Sequence, residues 1–170
     1  QGLAWIFLPY TEFRTQGGLA RRDADEFLGI IERVEQRIIE HSMGRGGKHT
    51  LDTRYEVLDR RNGIYVVREI GKNARVGMFG DGINAFLAVQ ERRGDEGIMD
   101  CVLGRFSPFI PFDLLRTFDD LNTAENHIPG HDSCDKWGGG DMVGGSPRVG
   151  GTRLPLATIL AVSEHHMHNT

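Results

Sequence analysis

Trp137-Gly138-Gly139-Gly140-Asp141-Met142-Val143-Gly144-Gly145-Ser146-Pro147-Arg148 is the stretch on which the reading of this chain turns. Seven glycines fall between Gly138 and Gly151, inside a long irregular segment at 122–153. Loops of that length within a compact domain are usually functional. Consecutive glycines let backbone amides approach an anion with no Cβ atoms in the way, and Ser146 and Arg148 follow where a phosphate or carboxylate cradle needs them. A bulged turn, in which glycine only permits unusual dihedral angles, accounts for the same residues equally well. Trp137 also has two readings, as a ring that stacks on a base or as a buried one.

Working outward, the β-rich run 98–103 leads into Gly104-Arg105-Phe106-Ser107, and 111–118 reads as a short helix with Pro111 at an early position. Further upstream, 55–59 and 64–68 flank Asn62-Gly63, a pair that supplies the positive φ angles of a tight hairpin turn. Residues 74–79 fit a further strand or a short bridge. Gly80-Asp81-Gly82 opens a segment with Ile83, Phe86, Leu87 and Gln90 at helical spacing, which predicts a helix over 82–92. Phe27, Ile30, Ile31, Val34, Ile38 and Ile39 mark one face of a helix over 21–42, stopped by Gly44 to Gly47. The apolar run Leu3 to Leu8 reads as a buried strand or a segment pairing with something upstream, ended by Pro9 and Gly17-Gly18. The last periodic run is 154–162.

The chain has 170 residues, 39% of them hydrophobic and 26% charged, with a formal net charge of −4 at pH 7. That composition belongs to a folded domain, and no run of ~18 apolar residues offers a membrane span. The negative balance argues against strong nonspecific capture of duplex nucleic acid, which Lys and Arg drive by neutralising phosphates, though a local basic groove is compatible with it. Cys101 and Cys134 are too few for a disulfide scaffold, and no signal peptide is legible, so cytoplasm is the expected compartment. A chain that opens on Gln1 and passes at once into an apolar run has the look of part of a longer protein.

Other chemistry is thinly represented. A P-loop is absent, since Gly71-Lys72 is followed by Asn73 and Val66 occupies the upstream glycine position. Gly77 to Gly82 has the wrong glycine order for a dinucleotide fingerprint, although a helix starting there presents its amides to anions. His127, His131, Asp132, Cys134 and Asp135 crowd one loop without the regular spacing of a structural zinc site, leaving a metal or a solvated loop as readings. His165, His166 and His168 read as a frayed tail or a place of adventitious metal capture. Cys101 and Ser107 have no evident His partner, and Asp119-Asp120 are adjacent carboxylates that point differently. No self-sufficient catalytic or metal-binding set emerges.

The order of a connector helix, a hairpin, a Gly-opened helix, a strand ending in Arg105-x-Ser107, a short helix with Asp113, then Gly138-Gly139-Gly140-Asp141 and a small-residue run resembles the C-terminal, DHH-associated domain of DHH-type phosphoesterases. These are the RecJ-like exonucleases, nanoRNases and pAp phosphatases, with a related domain in alanyl-tRNA synthetase. The resemblance covers roughly 50–155. Relatives carry Arg-Ser where Phe106 here separates Arg105 from Ser107, His where Asp141 stands, and Ala-Ala-Gly where this chain has Gly144-Gly145-Ser146. The loop between Phe118 and Trp137 is also longer than expected. In relatives that His looks like a phosphate ligand, and an Asp in its place repels an anion unless a cation or Arg148 compensates.

The resemblance implies an α/β fold, a small mixed β-sheet packed with helices and preceded by a long linker helix. It divides the chain into 1–19 as the tail of an upstream domain, 20–48 as the linker helix and 49–170 as the DHH-associated substrate-binding domain. It implies substrate binding by Arg105, Ser107, Gly138, Gly139, Gly140, Asp141, Gly144, Gly145, Ser146 and Arg148, with Arg153 assisting. The chain has no Asp-His-His, so manganese or magnesium and the hydrolytic chemistry are expected in that upstream domain, and this chain alone is not expected to be active. The implied ligand is a short single-stranded nucleic acid or nucleotide, held as two domains close on it. Other readings remain open: a nucleic-acid-binding module without chemistry, a metalloenzyme built on 127–135, and a homodimer formed through the helix at 21–42.

Overall fold

The computed structural model describes residues 1–92, 94–128 and 134–168. They form two compact units, Gln1–Asp52 and Thr53–Thr170, divided a few residues after the boundary read from the sequence.

The first unit is helical: α1 (Gly2–Ile6), α2 (Leu8–Thr15), α3 (Gly18–Arg21) and α4 (Ala24–Ser42). The run at 3–8 is therefore helix, and the expected strand is absent. Its buried residues Ile6, Pro9 and Phe13 recur at spacings of three and four, the mark of a helical face. Pro9 sits in the first turn of α2, where a missing N–H breaks no helical bond. The long helix forms as its period demands. Asp23 caps it by accepting hydrogen bonds from the Asp25 and Glu26 amides. Its buried residues are Ile30 and Val34, and Arg37 stacks over the Trp5 ring at 4.8 Å. Residues 1–19 and the long helix fall within one compact unit.

The second unit is a mixed α/β domain with a six-stranded sheet in the order β1-β2-β3-β4-β6-β5. Its strands are β1 (Tyr55–Arg61), β2 (Ile64–Glu69), β3 (Ala85–Glu91), β4 (Met99–Arg105), β5 (Gly138–Gly139) and β6 (Val143–Gly145). Its helices are α5 (Ala74–Gly80), α6 (Leu114–Glu125) and α7 (Leu156–His165). Asn62 (φ 44°) and Gly63 (φ 81°) make the predicted hairpin between β1 and β2. β2 and β3 pair in parallel through the α5 crossover, and every other neighbouring pair is antiparallel.

Two sequence expectations are corrected here. Residues 74–79 are helix, and the segment read as a helix over 82–92 contains the central strand β3. Ala85 and Leu87 pack in one core cluster, whereas Phe86 and Ala88 pack in the cluster on the opposite face. A strand covered on both sides is apolar without alternation, which is why it imitates a helical run. The larger cluster joins the sheet to α6 and α7 through Phe118, Leu121, Ile159 and Leu160, and the smaller receives Met78 from α5. Among the described residues no helix is long and apolar enough to cross a membrane.

Candidate functional site

The end of β4 meets the tip of the β5–β6 hairpin. The Arg105 amide donates to the Met142 carbonyl at 2.9 Å, and its guanidinium donates from Nε to the Asp141 carbonyl at 2.8 Å and from Nη1 to the Ile110 carbonyl at 2.8 Å. Nη2 lies 3.6 Å from the Asp141 carboxylate, which is 64% exposed while the Arg105 side chain is 14% exposed. Arg105 thus gathers two loops around an open cleft of about 350 Å³, lined also by Asp113, Pro111 and His168. Asp113 is held there as the N-cap of α6, accepting from the Arg116 amide. Ser107 lies just beyond β4, and its Oγ accepts the Phe109 amide at 3.2 Å. Among the described residues its own hydroxyl proton meets no acceptor, which leaves it to a ligand.

The glycines separate into two kinds. A Cβ on Gly139 meets the Gly144 Cα at 2.3 Å, one on Gly144 meets Phe118 Cζ at 2.4 Å and one on Gly145 meets the Cys101 carbonyl oxygen at 2.8 Å. Those three are glycine because the strands and α6 approach closely. Gly138 and Gly140 are exposed, neither has a positive φ, and a Cβ on Gly138 meets nothing within 4 Å. On Gly140 its nearest neighbour is 4.0 Å away. Cβ packing accounts for neither; the Gly140 amide donates to the Val143 carbonyl at 2.9 Å and Gly138 pairs with Gly145, so what both leave is open space beside the hairpin.

Ser146 and Arg148 do not join this cleft, which corrects the expectation of a cradle closed by them. Ser146 is buried, its Oγ accepting the Cys101 amide at 3.0 Å and its amide donating to the Cys101 carbonyl at 2.9 Å. Cys101 precedes Arg105 by four strand residues, roughly 13 Å. The Arg148 carbonyl is bound by Arg92, which also pairs with Asp100 near the start of β4, the opposite end of the strand. Arg153 lines a separate pocket there with Glu91 and Glu96. Trp137 is buried at 1% exposure, so it is no stacking platform.

A polar network that sequence reasoning missed holds the entry to the glycine hairpin. Asn122 clamps the Trp137 backbone, its Oδ1 accepting the amide at 2.8 Å and its Nδ2 donating to the carbonyl at 3.0 Å. Buried Glu125 accepts from Trp137 Nε1 at 3.0 Å, Thr152 Oγ1 at 2.6 Å and the Arg153 amide at 3.2 Å. The available signal was spacing, because Leu114, Phe118, Leu121 and Glu125 mark one helical face.

The remaining candidates disperse. Cys101 is buried, and that burial pushes its thiol up to about 12, which removes it as a nucleophile. Gly80 to Gly82 closes α5 and opens no helix. His166 is no frayed residue: it is 8% exposed, and its Nε2 is 2.7 Å from Asp120 Oδ2. Of the histidine-rich loop, His131 and Asp132 lie outside the described residues, His127 Nδ1 lies 2.7 Å from the Thr123 carbonyl, and Asp135 accepts the Val149 and Gly150 amides. Among the described residues no three His, Cys, Asp or Glu side chains gather as a metal site.

Fold and cleft together define a mixed α/β domain with a strand-end arginine set against a glycine hairpin. No protein-family model matches the chain, and no curated protein aligns with it significantly.

Proposed function

We propose that this chain is the substrate-binding part of a cytoplasmic DHH-type phosphoesterase that takes short single-stranded nucleic acids or nucleotides, with manganese- or magnesium-dependent hydrolysis belonging to a catalytic domain outside these residues. One observation carries the reading. Two of the sequence features that carry the resemblance, the strand-end Arg105 and the glycine loop, meet in one cleft at the 2.8 Å bond from Arg105 to the Asp141 carbonyl, whereas the Gly-opened helix of that element order is strand β3. Arg105 Nη2 and the Ser107 hydroxyl supply hydrogen-bond donors for a terminal phosphate, and Gly138 and Gly140 leave the space beside them open. Asp141 makes the cleft selective, since its exposed carboxylate disfavours a phosphate held directly against it and leaves the Ser107 side as the more favourable position. No residue of the chain is given a catalytic role.

Calorimetric titration of the chain with a 5′-phosphorylated dinucleotide tests this. Saturable binding that weakens with added salt is expected, together with its loss in Gly140→Val, whose Cβ has no neighbour nearer than 4.0 Å. Undiminished affinity in Gly140→Val contradicts it.

A further inference from the structure

Beside this cleft lies a groove of about 380 Å³ that the reading above leaves unused, formed where the β1–β2 turn, the loop entering β3 and His168 come together. It shares Ile110, Pro111 and His168 with the Arg105 cleft, so the two are neighbours. Arg60 and Tyr65 are cross-strand partners, and the Arg60 guanidinium carbon lies over the Tyr65 ring, 4.8 Å from its centroid. Neighbouring arginines are occupied by carboxylates: Arg61 by Asp59, Arg68 by Glu56 and Arg75 by Glu69. Arg60 has no such partner among the described residues, and it lines the groove. Asn62 and Asn84 line it too, and among the described residues neither side-chain amide is hydrogen-bonded.

A guanidinium held over an aromatic ring is a positioned planar cation, and bases stack on guanidinium planes. A carboxamide offers a donor and an acceptor side by side, the pattern that base edges match. We propose that this groove is a nucleobase site, in which a base stacks on the outer plane of Arg60 and its edge is read by Asn62 and Asn84. The inference rests on the nucleotide-binding reading and deepens it: the phosphate occupies the Arg105 cleft, and a base of the same ligand reaches past Ile110 and Pro111 into the groove. The preferred ligand is thus a dinucleotide or longer single strand rather than a bare phosphate.

The test is calorimetric titration of the full chain with a 5′-phosphorylated dinucleotide and with the same ligand made abasic at its second position. The abasic ligand is expected to bind roughly ten-fold more weakly. Arg60→Lys retains the charge and loses the plane, so its affinity for the dinucleotide should fall to that of the abasic ligand, while the abasic ligand binds it as it binds wild type. Equal affinity for the two ligands, or an Arg60→Lys variant that holds the dinucleotide as tightly as wild type, overturns the base site and leaves the phosphate cleft standing. If wild type binds neither ligand at millimolar concentration, the nucleotide-binding reading fails and the base site falls with it.

Discussion

The buried carboxylate of Glu125 accepts the indole N–H of Trp137 at 3.0 Å, and through Thr152 and the Arg153 amide it fastens both ends of the glycine-rich segment to α6. Glu125→Ala leaves the Trp137 N–H and the Thr152 hydroxyl buried without a partner, at roughly 1–3 kcal/mol each. A loss of about 3 kcal/mol or more is expected in denaturant unfolding. A loss below ~1 kcal/mol would show that the segment is held by something else.

The two kinds of glycine predict opposite effects. Gly144→Ala drives a methyl into the Phe118 ring and the Gly138 carbonyl, within 2.4 and 2.6 Å, and overpacking of that kind costs roughly 1–3 kcal/mol. Gly138→Ala meets nothing, so its stability should stay within ~0.5 kcal/mol of wild type while dinucleotide affinity falls. Thermal melts and calorimetry on both variants separate the effects.

Asp141→Asn removes a negative charge and keeps the backbone carbonyl that holds Arg105. A phosphate ~6 Å away gains about 0.7 kcal/mol in water's dielectric, roughly three-fold in affinity. The gain should appear at low ionic strength and shrink as salt is added. Unchanged or weaker binding at low salt would place the phosphate elsewhere.

Alkaline pH should destabilise the second unit. Burial first, then the charges of Asp100 and Glu125, push the Cys101 thiol from 9.0 up to about 12. The Tyr55 hydroxyl, hydrogen-bonded to Asp81 and partly desolvated, rises from 10.0 to about 12. Both groups are neutral when protonated, and the unfolded chain releases these protons first, so their stabilisation is complete below pH 9 and declines as pH climbs toward 12. Melting temperatures should fall steadily above pH 9, and Tyr55→Phe should make that fall shallower. A melting temperature that stays flat to pH 11 contradicts the assignment.

What was legible in the sequence followed period and turn chemistry. The helix Ala24–Ser42 announces itself because one face is wet, and the β1–β2 hairpin because Asn62-Gly63 fits little else. Segments buried all round were not legible: β3 carries apolar residues to both faces of the sheet, so Ile83, Phe86 and Leu87 mimic a helix. At the cleft, the sequence brought out Arg105, Ser107 and the glycine loop, but it could not show that Ser146 faces inward to Cys101. That follows from the register of β4 against β6, a long-range pairing without a local signature. Glu125 lay hidden in the polar run Thr123-Ala124-Glu125-Asn126, whose composition suggests surface.

The most direct test of a phosphate site between the β4 end and the glycine hairpin is a nitrogen–proton NMR titration with a 5′-phosphorylated dinucleotide at low salt. Saturable shifts confined to the amides of Ser107, Gly138, Gly140 and their immediate neighbours are the expected result. Shifts that instead gather around Ser146 and Arg148, or none at millimolar ligand, would contradict it.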